Sequence, residues 1–506
     1  MRKIVFVVSG VFALFINTIT ANNLNITNVS VPSTTTIQFD IDWENSWNIS
    51  GINYDAVWVF VKAQVCGGAA TPYSHANLNG AGHSVTGGVL QIDVVSDNKG
   101  VFIRRSATGT GNIATATVTL TFATSYVIAN TNFEVIGIEM VYVPLGSFTA
   151  GDGSTINASH STASFGSNNS TPRPVTSEAA IAQDYLRNDK AGDGAITAHA
   201  TIIGGFPKGY NAFYCMKYEI SQQQYVTFLN LIDFNQQAAR TTASPSSVAG
   251  TLAMTTSGNE NRNYIKVVTP GNATSAAVYG NDFDNNGVYN EAGDGQNIAC
   301  NYLSWDDLKA YLDWAALRPM TELEYEKACR GVNASLLNEL AWGSTTINQA
   351  ISSSLTNSGQ ASEVSTSTAD GLCAYLGGAS TSLGSLRTGF AATSITGRTG
   401  AGASYWGVLD LSGNVWEQTY QCGYYNGAVR TSVPIFTGVL GDGEIDATGN
   451  ADATNWGGGV ALSVVKGGNW EYSAQRAQVS DRFYVNSTAQ NSSRTSRTGG
   501  RGVRQP

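Results

Sequence analysis

Five consecutive residues, Val57-Trp-Val-Phe-Val61, constrain this chain more than any other stretch. All five are β-branched or aromatic, and none offers a polar face to water. Such a run reads as a central strand buried within a sheet. Its neighbours follow a different pattern. Ile37, Phe39, Ile41 and Trp43 alternate with polar residues, as do Val118, Leu120 and Phe122. That period of two belongs to half-buried strands. Clusters of Gly, Asn and Ser separate the runs, as in a sandwich. Residues 22–133 are therefore expected to form an all-β, sandwich-like domain. It shows no chemistry-bearing cluster, and its expected role is a spacer, a docking surface or a partner-binding module.

At 506 residues the chain is long enough for two or three domains. Charged residues make up 13% and glycines number 55, a balance that suits an exported, loop-rich protein. The net charge of −9 repels phosphate backbones and argues against nucleic-acid binding. Arg2 and Lys3 precede a mostly apolar stretch from Ile4 to Ile16, and Ala21 suits a cleavage point. Residues 1–21 thus read as a signal peptide. The stretch is shorter than the roughly 20 residues that a spanning helix needs, and no later segment is apolar enough to serve. The mature chain is expected to be secreted or held at the cell surface, with the periplasm as the third compartment. Six cysteines, none in a CxxC spacing, permit disulfides whose pairing stays open. The four histidines, His75, His83, His160 and His199, lie outside every motif, which gives little support to a histidine-built metal centre.

Residues 134–506 read as a second domain with insertions near 152–200 and 233–300. Three helices announce themselves by capping-box patterns: Ser221 to Gln224, Ser304 to Asp307 and Thr321 to Glu324. In each, the hydroxyl accepts from the amide three residues on, and the acid or amide side chain answers at the helix start. Glu322, Glu324 and Glu326 are accordingly read as structural.

Four segments occur in order along this second part. They are Phe213-Tyr-Cys-Met-Lys-Tyr-Glu-Ile-Ser221, Ser304-Trp-Asp-Asp307 with Arg318-Pro-Met-Thr-Glu322, Leu411-Ser-Gly-Asn-Val-Trp-Glu417, and Val465-Lys-Gly-Gly-Asn-Trp470 with Gly502-Val-Arg504. Together with Met140–Phe148 they resemble the formylglycine-generating, or sulfatase-modifying factor, family over roughly residues 137–506. The resemblance implies an α+β fold similar to C-type lectins, with much irregular structure. It also implies a calcium ion held by Asp410, Gly413, Val415 and Glu417, the glycine and valine acting through their carbonyls. Carboxylate and carbonyl oxygens suit calcium. The alternative is a tight turn closed by Asn414 and Glu417. The family's oxidases use two thiols near the C-terminus to bind copper, and soft Cu(I) wants thiolates. Those positions hold Tyr472 and Ala477 here, Asn469 stands where the resemblance expects serine, and no cysteine follows Cys422. Copper chemistry of that type is not expected.

A second candidate metal loop begins at Asp282. Asp282, Asp284, Asn286 and Gly287 take positions 1, 3, 5 and 6 of an EF-hand loop, but Gly293 takes position 12. Glu291 or Asp294 could stand in for the missing acid, and an ordinary Asn/Asp/Gly turn is the alternative. Trp416, Asn469 and Trp470 are candidate binding residues: the two tryptophans could stack on sugar rings if exposed, and take core positions if buried. The chain as a whole reads as an exported, calcium-binding protein, leaning toward no catalysis. It is expected to act in binding, adhesion or surface assembly with protein partners or copies of itself. An oxidoreductase with a different metal site and a carbohydrate-binding module are the alternatives.

Overall fold

The computed structural model describes residues 23–66, 71–153, 172–181, 201–258, 260–350, 352–376, 384–393, 396–422, 436–457, 462–484 and 493–506. The signal peptide expected at 1–21, and His160 and His199, lie outside them.

The main strands of the N-terminal part are β1 (Asn25–Ser33), β2 (Thr36–Ile49), β3 (Asn53–Val65), β4 (Val101–Arg105), β5 (Gly109–Thr121) and β6 (Thr131–Val143). After them come β7 (Phe213–Met216), the helices α1 (Gln222–Asn230), α2 (Phe234–Arg240) and α3 (Trp305–Trp314), β8 (Arg318–Pro319) and α4 (Glu322–Arg330). The C-terminal strands are β9 (Trp416–Tyr420), β10 (Ser463–Lys466), β11 (Thr498–Gly499) and β12 (Gly502–Arg504). Among the described residues this is a β-rich α+β fold with four α-helices. None of its helices is long and apolar enough to cross a membrane.

One sheet has the strand order β8-β12-β7-β6-β3-β2-β5 and ends on the short strand Ser84–Val85. Every pairing along this path is antiparallel. Its centre is the long ladder of β3 with β6, unbroken from Asp55 opposite Val141 to Val65 opposite Thr131. The boundary expected between residues 133 and 134 falls inside β6.

The run Val57–Val61 explains why the sheet can be continuous. Every residue of it is fully buried. Val57, Val59 and Val61 face a core shared with Ile37, Phe39, Ile41, Val118 and Leu120 of β2 and β5. Trp58 and Phe60 face the opposite core, with Phe228 of α1 and Trp305 and Trp314 of α3. Each fully buried side chain of this size contributes on the order of 1.5–3 kcal/mol, so neither face can be given to solvent cheaply.

All three expected capping boxes are formed, and a fourth joins Asp233 to Gln236 at the start of α2. α4 stops at Gly331 (φ 66°), where a Cβ would stand 2.1 Å from the Tyr405 ring. The acids of α4 are paired internally. Glu322 accepts from Arg482 at 2.7 and 2.8 Å, Glu324 from Arg318 at 2.6 and 2.8 Å, and Glu326 from Arg330 at 2.8 Å.

Candidate metal centre

The turn from Asp410 to Glu417 leads into β9. Asp410, Gly413 and Asn414 all have left-handed backbone, with φ of 57°, 91° and 62°. Glycine is required at 413, because a Cβ there would stand 2.4 Å from Cys373 Sγ and 2.7 Å from the Ala374 carbonyl. The turn is closed by a residue that the sequence reading did not single out. Glu219, just after β7, accepts from Asn414 Nδ2 at 2.6 Å and from the Val415 amide at 3.0 Å. Asp410 accepts from the Gly389 amide. Glu417 accepts from Arg501 Nε at 2.6 Å, and both partners are buried. Burial pushes the Glu219, Asp410 and Glu417 carboxyls up. Repulsion from Asp410 and Glu417 adds to the rise at Glu219, and Arg501 pulls against it. Among the expected ligands, therefore, Glu417 already has a cation beside it.

The loop after Asn281 is differently arranged. Oxygens of Asp282, Asp284 and Asp294 lie within 4.8 Å of one another. Asp282 Oδ2 accepts from Lys266 Nζ at 2.8 Å, while its buried Oδ1 has no partner. Asp294 Oδ2 accepts from the Glu291 amide at 2.7 Å, and its buried Oδ1 likewise has no partner. Asp294, at position 13, is thus the acid that joins the cluster in place of Gly293. Burial raises its carboxyl, the Glu291 amide pulls it down, and Asp284, Asp282 and Glu291 push it further up. Asn286 is spent on the loop itself: its Nδ2 reaches Asp284 at 3.0 Å and Glu291 at 2.9 Å, and its Oδ1 accepts from the Val288 amide at 2.7 Å. Asn285, Gly287, Asn290 and Gly293 supply the positive φ values that curl the chain round the three acids. A strand, Val278–Asn281, precedes the loop where an EF-hand has a helix. On its far side the loop meets α1, with Gln222 N donating to Ile298 O at 2.9 Å. Three carboxylates against one lysine amine leave a deficit that a hard, oxygen-seeking cation fits.

A third acidic group escaped the sequence reading. Asp313, at the end of α3, lies within the same reach of Asp442 and Asp452. Both of its oxygens already accept backbone amides, from Asp442 at 3.0 Å and from Asp452 and Ala453 at 2.9 and 3.0 Å. It serves to anchor the 441–453 segment, and burial pushes its carboxyl up to about 7. The one local signal is Gly441, whose absent Cβ would stand 2.5 Å from Asp313 Cα.

Residues 207–506 match the family model of the Sulfatase-modifying factor enzyme 1-like domain, well over half of the chain. The chain belongs to this family. The match takes in β7 through β12 and all four helices, and it leaves out Met140–Phe148 and the N-terminal strands. No curated protein matches. Among solved structures the chain is similar to Treponema denticola variable protein 1, at 13% identity over 73% of this chain and 96% of that one, with a TM-score of 0.29. It is also similar to a structure titled for Streptococcus parasanguinis adhesion by Fap1 fimbriae (17% identity, 33% and 79% covered, TM-score 0.13). A third is the group B streptococcus pilus 2b backbone protein (12% identity, 29% and 71% covered, TM-score 0.11). Scores this low carry no argument about fold or role.

In this sulfatase-modifying factor domain the two positions expected to hold thiols are filled by packing. The Tyr472 ring lies 4.8 Å from Trp416 and 5.6 Å from Tyr484. Ala477 is buried against Leu340, Trp342 and Cys373. Asn469 is buried and accepts from the Glu471 amide at 2.8 Å, leaving its buried Nδ2 without a partner. Trp416 is 1% exposed and Trp470 6%, so both are core residues with no face for a sugar ring. None of the six cysteines is in a disulfide. Burial pushes the Cys215 thiol up to about 12 and raises Cys300, Cys329 and Cys373 too, away from the thiolate that a soft metal needs.

Proposed function

We propose that this is an exported, calcium-binding, non-catalytic member of the sulfatase-modifying factor family that acts in adhesion or assembly at the cell surface. The observation that carries the non-catalytic reading is Tyr472, whose ring packs at a tilt against Trp416 where the family resemblance expects a thiol. The calcium reading rests on Asp282 Oδ1 and Asp294 Oδ1, two buried carboxylate oxygens with no protein partner in one three-acid cluster. Burying such groups unpaired is costly, and a bound cation removes the cost. The Asp410–Glu417 turn is the second choice for the ion, since Arg501 already answers Glu417. With no redox pair to act on a substrate, the function falls to surfaces, which points to protein partners or further copies of the chain.

Elemental analysis of the purified mature chain, with calorimetric calcium titration, tests this. One calcium per chain, without copper, and no oxidation of a cysteine-containing sulfatase peptide are the expected results. Stoichiometric copper or peptide oxidation would overturn the non-catalytic reading. Heat-silent titration of a metal-free chain would overturn the calcium reading.

A further inference from the structure

Three ionisable side chains that the metal reading leaves unused meet in the middle of the long sheet. Asp55 stands on β3 and Glu139 on β6, two rungs apart on one face, and Lys217 follows directly on β7. All three side chains are at most 4% exposed. Lys217 Nζ donates to Glu139 Oε1 at 3.0 Å and lies 3.9 Å from Asp55 Oδ2. Asp55 is gripped by donors: Ser46 Oγ at 2.8 Å and the Trp47 amide at 2.9 Å on Oδ1, and Trp43 Nε1 at 3.1 Å on Oδ2. Glu139 Oε2 is buried and has no partner. The Trp47 ring covers the amine, 5.1 Å from Nζ.

We propose that Lys217 and Asp55 are joined by an intramolecular isopeptide bond whose formation Glu139 catalyses. The chemistry follows from the charge count. Burial raises both carboxyls, with Glu139 held up to about 7. Burial alone would depress Lys217, but Glu139, Tyr218 and Asp55 raise it above its ordinary value, so the ammonium is the resting form. A buried trio of this kind is driven to neutrality as one ammonium, one carboxylate and one carboxylic acid. The same number of protons gives a neutral amine and two carboxylic acids. One proton passing from Lys217 Nζ to Glu139 Oε1 across their hydrogen bond converts the first form into the second. The amine then attacks Asp55 Cγ. Negative charge developing on Oδ1 is met by Ser46 and the Trp47 amide, donors already in place. Glu139 protonates Oδ2, which leaves as water, and takes back the proton lost by the nitrogen. The C–O bond to Oδ2 breaks, the C–N bond forms, one water is released, and nothing is oxidised or reduced. Lys217 also lines a surface cleft of about 820 Å³, which gives the water a way out. The product replaces an ammonium and a carboxylate with an uncharged amide, so it removes the cost of burying charge. It also ties the N-terminal strands, which lie outside the family match, to the family domain across β6.

Intact-mass spectrometry of the purified full chain decides the matter. The expected mass is one water below that calculated for the residues the purified chain retains, and proteolysis should release a branched peptide linking Asp55 to Lys217. Full mass for the wild-type chain, or loss of water with the two peptides unlinked, would overturn the proposal. Glu139→Gln should restore the full mass and leave Lys217 and Asp55 unjoined. A linked Glu139→Gln chain would overturn the role of Glu139. Because the wild-type mass is read directly, a variant that fails to fold does not weaken the test.

Discussion

The Lys62 amine, on the strand that both cores share, donates to the main-chain carbonyl of Trp314 at 2.7 Å. It also donates to Gly443, and so holds the end of α3 and the 441–453 segment against β3. Burial pushes this amine down to about 7 from its ordinary 10.5. The unfolded chain therefore binds more protons than the native one between those values, and stability rises with pH across that window. Lys62→Met should lack this rise, whose slope approaches about 1.4 kcal/mol per pH unit at most. Denaturant midpoints of the two proteins between about pH 7 and pH 10 would show it, and parallel curves would contradict it.

Trp58 is a fully buried side chain that β3 sends toward the helices. Its Nε1 donates to Ala315 O at 3.0 Å, and the Arg504 guanidinium lies 4.1 Å from its ring. Trp58→Ala should cost about 3–5 kcal/mol, the range for emptying a large aromatic site. Urea unfolding measures it; a loss below about 1 kcal/mol would contradict the packing of Trp58 against the helices.

Arg501 and Glu417 form a buried ion pair, with Arg501 Nη1 also donating to the carbonyls of Met216 and Lys217 at 3.2 and 3.3 Å. Arg501→Leu leaves a buried carboxylate alone and should cost about 3–5 kcal/mol. The double variant with Glu417→Leu should recover part of that loss, because the stranded charge goes with it. Additive losses in a double-mutant cycle would contradict this pairing.

Gly413 sits at φ 91° against Cys373 and Ala374. Gly413→Ala should destabilise by about 1–3 kcal/mol from backbone strain alone, with the clash adding to it. Thermal unfolding of the variant is the check, and an unchanged midpoint would place the turn elsewhere.

Calcium should raise the stability of the wild-type chain by about 2.7 kcal/mol when present at 100 times its dissociation constant. Asp294→Asn and Asp282→Asn should abolish most of that gain, and Asn286→Ala should reduce it less, since Asn286 bonds only within the loop. Equal responses of all three variants would remove the assignment of Asp294 as the third acid.

The local features of this chain were written in the sequence. The capping boxes at Ser221, Ser304 and Thr321 need residues only three positions apart, so composition and spacing suffice to find them. The apolar run Val57–Val61 required a strand with two buried faces, and the missing cysteines after Cys422 were a matter of reading letters. What lay beyond reach depends on chain closure over long separations. Nothing near Asp410 announces Glu219, 191 to 198 residues earlier than the turn it closes, nor Arg501 across from Glu417. Asp313 meets Asp442 and Asp452 only because α3 ends beside a distant segment. Asp294 displaced Glu291 as the third acid of the loop because Glu291 lends its amide and is drawn to Asn286, a choice made by the curl of the backbone. Lys217, Glu139 and Asp55 each look like an isolated charge in sequence; three neighbouring strands, drawn from segments up to 162 residues apart, bring them together. Hydrogen bonds within a turn are fixed by local geometry, whereas the pairing of buried charges is settled only when the sheet registers and the two cores close over β3.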